Sequence, residues 1–85
     1  MSQKEKLIKR LLNKPVGFTY DELRKLLGKL GYKESQSGKT SGFRVAFFNE
    51  KTEHIIRLHK PHPKNVLKQY QIEQLVEELT TRGLI

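Results

Sequence analysis

A short basic segment contains side chains that can transfer protons and stabilise negative charge. Arg57, His59, Lys60 and His62 all lie in "RLHKPHP". Imidazole accepts and releases protons near neutral pH, and a neighbouring cation stabilises an anionic transition state. Cleavage of an RNA strand by its own 2′-hydroxyl requires a base, an acid and such a cation. The segment therefore contains the side-chain types that metal-independent RNA cleavage needs.

Two other interpretations of this segment remain open. A metal site needs three or four ligands, whereas His59 and His62 supply only two, and the chain has no cysteine. We therefore predict no metal site and no other cofactor. The simpler alternative is a polar loop whose histidines face water or cap neighbouring groups.

A second candidate segment, "SGKTSG", resembles the end of a nucleotide-binding phosphate loop. The complete motif requires a glycine five residues before Gly38, where this chain has Lys33, and it requires a helix afterwards. A nucleotide hydrolase is therefore excluded. The glycines suit a hairpin connection, whose exposed amides, lysine and hydroxyls also suit a backbone phosphate of a nucleic acid. The predicted phosphate-binding residues are Gly38, Lys39, Thr40, Ser41 and Gly42.

Three amphipathic segments predict the helices that must support these residues. Apolar side chains in 7–12 form one stripe, which Pro15 and Gly17 terminate. Thr19 and Glu22 fit a capping box at the start of a second helix, and leucines then form one face as far as Gly31. A third helical segment contains the apolar residues Tyr70, Ile72, Leu75, Val76 and Leu79, with helical spacing from Ile72, and ends at Gly83.

Between the second and third helices the sequence changes to strand patterns. "YKESQS" predicts an exposed strand, "FRVAFFN" a central strand and "EHIIRLH" a third strand, with a polar turn over 49–52. Alternation places Arg44, Ala46 and Phe48 on one face and Val45 and Phe47 on the other. The predicted fold is α+β in the order α-α-β-β-β-α, with helices covering one face of an antiparallel sheet and the other face open.

The charge favours a polyanionic partner. The 85 residues include 17 Lys and Arg against 9 Asp and Glu, a net charge of +8. Nucleic acid is the first candidate partner for such a domain, although the charge could also serve only solubility. No apolar run approaches the roughly 20 residues that span a bilayer, and the first residues lack the apolar core of a secretion signal. We therefore predict a cytoplasmic protein with no membrane partner.

The order of the motifs is similar to that of a known family. "LGKLGYKESQSGKTSG", "RVAFF", "IIRLHKPHP" and "RGLI" follow a basic amphipathic helix. Together they resemble the HicA toxins of bacterial toxin–antitoxin pairs. The resemblance implies a fold like a double-stranded-RNA-binding domain, with a three-stranded antiparallel sheet flanked by helices. It implies an endoribonuclease that cuts messenger RNA and a HicB-like antitoxin that masks the site. Residues 1–13 look like an N-terminal helical extension of a single domain, 1–85.

The chain departs from the family pattern at the start of the second strand. The family has Gly-Ser-His there, with a histidine taken as catalytic, whereas this chain has Gly42, Phe43 and Arg44. Arginine stays protonated near neutral pH, so it binds phosphate and stabilises charge but does not act as a base. Phe43 would stack on a base or obstruct the site. The assigned residues are His59, Arg44 and His62 for catalysis, and Arg57 and Lys60 for phosphate contacts.

Three functional hypotheses follow from the sequence. The first is an RNA-cleaving toxin restrained by a protein partner. The second is a module that binds RNA without cutting it, which the absence of the Gly-Ser-His histidine favours. The third is an interaction protein whose basic face docks on an acidic partner.

If RNA is bound through about four to six phosphates, its affinity will depend strongly on salt. For single strands, the logarithm of the binding constant should fall with the logarithm of salt concentration by about 0.7 per contact. Fluorescence anisotropy with a labelled oligoribonucleotide in a series of KCl concentrations measures this slope. A flat dependence would argue against binding of any polyanion.

Overall fold

A computed structural model describes residues 2–35, 44–61 and 64–85 of the chain. Its elements are α1 (Gln3–Leu12), α2 (Tyr20–Lys29), β1 (Tyr32–Ser35), β2 (Arg44–Asn49), β3 (Ile55–His59) and α3 (Gln69–Thr81). This order confirms the predicted α+β layout. None of the helices in these ranges is long and apolar enough to cross a membrane.

The sheet has the strand order β1-β2-β3, and both neighbouring pairs are antiparallel. In β2, Val45 and Phe47 are buried, whereas Arg44 is exposed and Ala46 and Phe48 are partly exposed. The predicted alternation is therefore confirmed, and the two faces of the sheet have different environments.

All three helices contribute to a core on the Val45 and Phe47 side of the sheet. Leu7 and Leu11 of α1 belong to the same buried cluster as these two side chains, so the N-terminal helix forms part of the domain core. The remaining buried members of this cluster are Phe18, Tyr20, Leu23, Leu26, Leu27, Tyr32, Ile56, Leu67, Ile72, Leu75 and Leu79. The helices take up this face, and no described element covers the opposite face of the sheet.

The signals predicted at both ends of α2 are confirmed. The Thr19 hydroxyl accepts a hydrogen bond from the Glu22 amide at 3.1 Å, and the Glu22 carboxylate accepts one from the Thr19 amide at 3.1 Å. Gly31 follows the helix with φ +98°, a conformation that favours glycine. A Cβ atom there would also lie 3.3 Å from the Asn49 side-chain nitrogen. The Gly31 backbone can therefore approach β2 closely.

An ion pair joins α1 to the start of α2. Arg10 Nε lies 2.6 Å from a carboxylate oxygen of Glu22, and its guanidinium also contacts the ring of Phe18, 5.6 Å from the centroid. Burial would raise the pKa of Glu22, but hydrogen bonds from Arg10 and the Thr19 amide outweigh burial and hold this pKa below its ordinary value. Glu22 therefore both caps α2 and holds α1 in place.

Three details of the sequence prediction are wrong. The third strand begins at Ile55 rather than at Glu53, because Glu53 has a φ of +59° and belongs to the turn. Asn49 caps that turn: its side-chain oxygen accepts hydrogen bonds from the amides of Lys51 and Thr52. The first strand is not exposed throughout, since Tyr32 is buried in the core. Tyr70, which the sequence grouped with the apolar residues of the last helix, is 58% exposed.

Replacing Glu22 with glutamine should destabilise the fold in a pH-dependent way. Glutamine can still accept the bond from the Thr19 amide, so the cap is kept, but the ion pair with Arg10 is lost. At neutral pH this loss should lower the free energy of unfolding by about 0.5–1 kcal/mol. The folded-state pKa is lowered, so this stabilisation exists above the unfolded value of 4.5 and disappears as pH falls through the folded value. Urea unfolding of both proteins at pH 7 and at acidic pH measures the difference.

The control is Glu73→Gln, a substitution at an exposed position of α3. It should change the free energy of unfolding little at either pH. A difference between wild type and Glu22→Gln that stays constant into the acidic range would contradict the role assigned to the carboxylate.

Candidate nucleic-acid interface

The uncovered face of the sheet forms a shallow depression of about 760 Å³. Its basic side chains lie mainly at the end of the sheet where β2 begins and β3 ends, and apolar side chains lie further along. The described residues that line it are Lys33, Ser35, Arg44, Val45, Ala46, Phe48, Ile55, Arg57, Leu58 and His59. No carboxylate is among them.

Arg44 and His59 lie directly opposite each other on β2 and β3. The Asn49 amide donates a hydrogen bond to the His54 carbonyl at 3.0 Å, which marks the bonded pairs of this antiparallel ladder. Hydrogen-bonded pairs recur at every second position along the ladder, and Arg44–His59 falls at one of the positions between them. It is therefore a non-hydrogen-bonded pair. Side chains approach most closely in such pairs, with Cβ atoms about 4.5–5.5 Å apart. The fold therefore places a guanidinium beside an imidazole.

Arg57 adds a second guanidinium to this end of the open face. It lies opposite Ala46 and diagonal to Arg44, a separation of about 7–8 Å in antiparallel sheets. The small side chain of Ala46 leaves open the space between the two arginines. Within the described residues, no carboxylate forms an ion pair with either arginine.

Apolar side chains form the other end of the same face. Phe48 is partly exposed and lies opposite Ile55, which is 38% exposed. An accessible aromatic ring next to cations is the combination on which unpaired bases stack while their phosphates are neutralised. The face can therefore contact both the bases and the phosphates of a single-stranded nucleic acid.

The structure separates Lys60 from Arg44, Arg57 and His59. Its Nζ lies over the Tyr20 ring, 5.4 Å from the centroid, and it does not line the depression. Lys60 follows His59, and successive side chains of an extended chain point to opposite sides. Of the predicted residues, the structure thus brings together Arg44, Arg57 and His59.

The other predicted site residues lie outside the described residues. They are Gly38, Lys39, Thr40, Ser41 and Gly42 of the glycine-rich segment, and His62. Phe43 is outside as well. The nearest described residues on either side of the glycine-rich segment, Ser35 and Arg44, both line the depression. The assignment of phosphate binding to the glycine-rich segment stays a prediction.

Gln71 positions the end of β3 and was not singled out from the sequence. It is buried, its Nε2 donates a hydrogen bond to the His59 carbonyl at 2.9 Å, and its Oε1 accepts one from the Lys68 amide at 3.0 Å. Both the donor and the acceptor of the side-chain amide are therefore hydrogen-bonded. The signal available in the sequence was a polar residue in register with Leu75 and Leu79 on the apolar face of α3.

His54 is the second residue that the sequence did not single out. It is buried, its Nδ1 lies 2.7 Å from the Tyr32 hydroxyl, and its Nε2 lies 3.6 Å from a carboxylate oxygen of Glu78. Burial raises the pKa of Tyr32, which Arg82 opposes and Glu78 reinforces. His54 does not line the open face, so it joins the turn to α3 rather than taking part in the site.

Across 2–35, 44–61 and 64–85, no three His, Asp or Glu side chains converge on a common point. No family model, curated protein or solved structure matches this chain. The resemblance to HicA toxins therefore stays a prediction.

Replacing Gln71 with methionine should destabilise the protein and release the end of β3. The substitution leaves the His59 carbonyl and the Lys68 amide without their partner, which should cost about 1 kcal/mol because both bonds are only partly buried. Urea unfolding measures the loss of stability, and the amide chemical shifts of 57–60 report the displacement of β3.

Gln74→Met is the matched control, because Gln74 is exposed on the same helix. It should change stability by no more than about 0.5 kcal/mol. Equal effects of the two substitutions would show that Gln71 does not hold β3.

Proposed function

We propose that this protein is the toxin of a bacterial toxin–antitoxin pair, binding messenger RNA on the open face of its sheet and cleaving it without a metal ion. The observation that carries the proposal is the cross-strand pairing of Arg44 with His59 on an uncovered face whose described lining has no carboxylate. A cation next to an imidazole supplies charge stabilisation and proton transfer, which are both needed for cleavage through the 2′-hydroxyl.

The proposed reaction is an internal transesterification. His59 takes the proton of the 2′-hydroxyl, and the 2′-oxygen then forms a bond to phosphorus. The bond from phosphorus to the 5′-oxygen breaks, and that oxygen takes a proton as it leaves, giving a 2′,3′-cyclic phosphate and a free 5′-hydroxyl. The protonated His59, or His62 outside the described residues, supplies the second proton.

Arg44 and Arg57 stabilise the charge that develops on the phosphate oxygens. A guanidinium stays protonated and donates hydrogen bonds in a fixed plane, so it suits this role rather than that of a base. Positioned cations of this kind contribute more in a transition state than in bulk water, because they need no reorganisation during the reaction.

The proposal includes a HicB-like antitoxin as protein partner. A net charge of +8 and a concave cationic face favour a partner with an acidic surface. An inhibitor that covers the open face would exclude RNA by occupying the same guanidinium groups.

A module that binds RNA without cutting it is the second candidate function. Within the described residues, His59 is the one imidazole on the open face, and it lies opposite an arginine rather than a second proton-transfer group. Phe48 and Ile55 provide a stacking surface that binding alone would use.

Incubation of the purified protein with RNA in the presence of a chelator tests the two candidates. We expect fragments ending in 2′,3′-cyclic phosphate. His59→Ala should slow cleavage by about 10²- to 10⁴-fold, with little change in RNA affinity. Arg44→Ala should weaken both binding and cleavage.

The control is Lys25→Ala, which removes an exposed cation of α2 that does not line the depression. Undiminished cleavage by His59→Ala would remove His59 from the mechanism. Binding with no cleavage by the wild-type protein would leave the binding module as the function. Growth arrest on expression without a partner would then be absent as well.

A further inference from the structure

Some backbone groups on the outer edge of β3 have no hydrogen-bond partner among the described residues. Among the described residues, β2 is the strand that pairs with β3. In the ladder register above, residues 55, 57 and 59 direct their amide and carbonyl groups away from β2. The His59 carbonyl already accepts a hydrogen bond from Gln71. No described residue hydrogen-bonds to the backbone of Ile55 or Arg57 on that side. This edge can therefore accept a further strand.

A narrow groove runs between this edge and α3. Its volume is about 100 Å³, and Ile56 and Leu58 line it from the strand, with Leu75 and Gln74 across from them. Tyr70 also lines the groove and is 58% exposed. A groove of this size accepts a small apolar side chain. Extended peptides commonly bind in such a groove between an edge strand and a helix.

Pairing with a second copy of this chain is unfavourable. If β3 pairs antiparallel with itself over its full length, Arg57 lies directly opposite its own copy. Like charges directly opposite each other destabilise a sheet, and each copy carries a net charge of +8. Arg57 and His59, which lie on the open face, favour carboxylates on that side of an added strand. Glu78 lines the groove, so uncharged residues are favoured on the side that faces α3.

We infer that an acidic, extended segment of the protein partner adds to the sheet as a fourth strand beside β3. Carboxylates of that segment lie next to Arg57 and His59 on the open face. Its alternate residues are small and apolar, and they enter the groove beside α3. This inference rests on the proposed function for the existence of the partner, and it specifies how the partner binds.

The pattern of amide protection distinguishes such a strand from RNA. An added strand forms hydrogen bonds to the outward amides of Ile55 and Arg57, whereas a nucleic acid on the open face contacts side chains. The amides of Ile56 and Leu58 already face β2 and should change little. Amide hydrogen exchange followed by NMR therefore reports which surface is occupied.

The test uses the intact protein with the acetylated, amidated peptide TEVEVET. At a peptide concentration about ten times its Kd, exchange at Ile55 and Arg57 should slow by about tenfold, because the free protein is the species that exchanges. The peptide TKVKVKT, of reversed charge, should bind much more weakly. TEVEVET methylated at the backbone nitrogens of its glutamates should not bind, since those amides face β3.

Arg57→Glu provides the reciprocal variant. The side chain is exposed, so the fold should tolerate the substitution. The variant should lose affinity for TEVEVET and gain affinity for TKVKVKT. Unchanged preference between the peptides would overturn the assignment of charge.

Three other outcomes would overturn the inference. In the first, TEVEVET binds but does not slow amide exchange at Ile55 and Arg57. In the second, the methylated peptide binds as tightly as TEVEVET. In the third, an oligoribonucleotide, or a raised concentration of the protein alone, slows exchange at Ile55 and Arg57 as much as the peptide does. None of these measurements depends on cleavage. Edge protection without RNA binding would refute the proposed function alone, and RNA cleavage without edge protection would refute this inference alone.

Discussion

The helices cover one face of the sheet only, and the two-residue alternation of β2 then determines the environment of each of its side chains. Val45 and Phe47 point into the core, and burial of such side chains contributes about 1.5–3 kcal/mol each. A shift of the β2 pairing register by one residue would expose these two side chains and bury Arg44 without a partner, which is strongly unfavourable. The packing of the core therefore fixes the register that places Arg44 opposite His59.

The end of the sheet that bears these two residues is also tied to the helices. Gln71 binds the His59 carbonyl. Further along, the Leu67 amide donates to the Phe18 carbonyl at 2.8 Å, and the Tyr20 amide donates to the Asn65 carbonyl at 3.1 Å. These bonds join the connection after β3 to the start of α2. His59 thus lies on a strand held on one side by β2 and at its end by α3.

The carboxylates of the sheet and of α2 are paired away from the open face. Glu22 pairs with Arg10, and Glu34 forms an ion pair with Arg24 and accepts a hydrogen bond from the Tyr20 hydroxyl. Burial and that bond to Glu34 raise the pKa of Tyr20 well above its ordinary value. The positive charge of Arg44 and Arg57 is consequently not offset by a described acid. RNA on the face and an acidic strand at the edge would compete for the same Arg57.

The sequence by itself determined the features that depend on neighbouring residues. The capping box at Thr19, the glycine after α2, the strand alternation and the order of elements follow from spacings of a few residues, because local hydrogen bonds and side-chain periodicity set them. Tertiary structure alone decided the pairing of Arg44 with His59, the position of Lys60 over Tyr20 and the bond from Gln71 to β3. Each of these depends on strand register or packing between residues far apart in the chain, which no local pattern specifies.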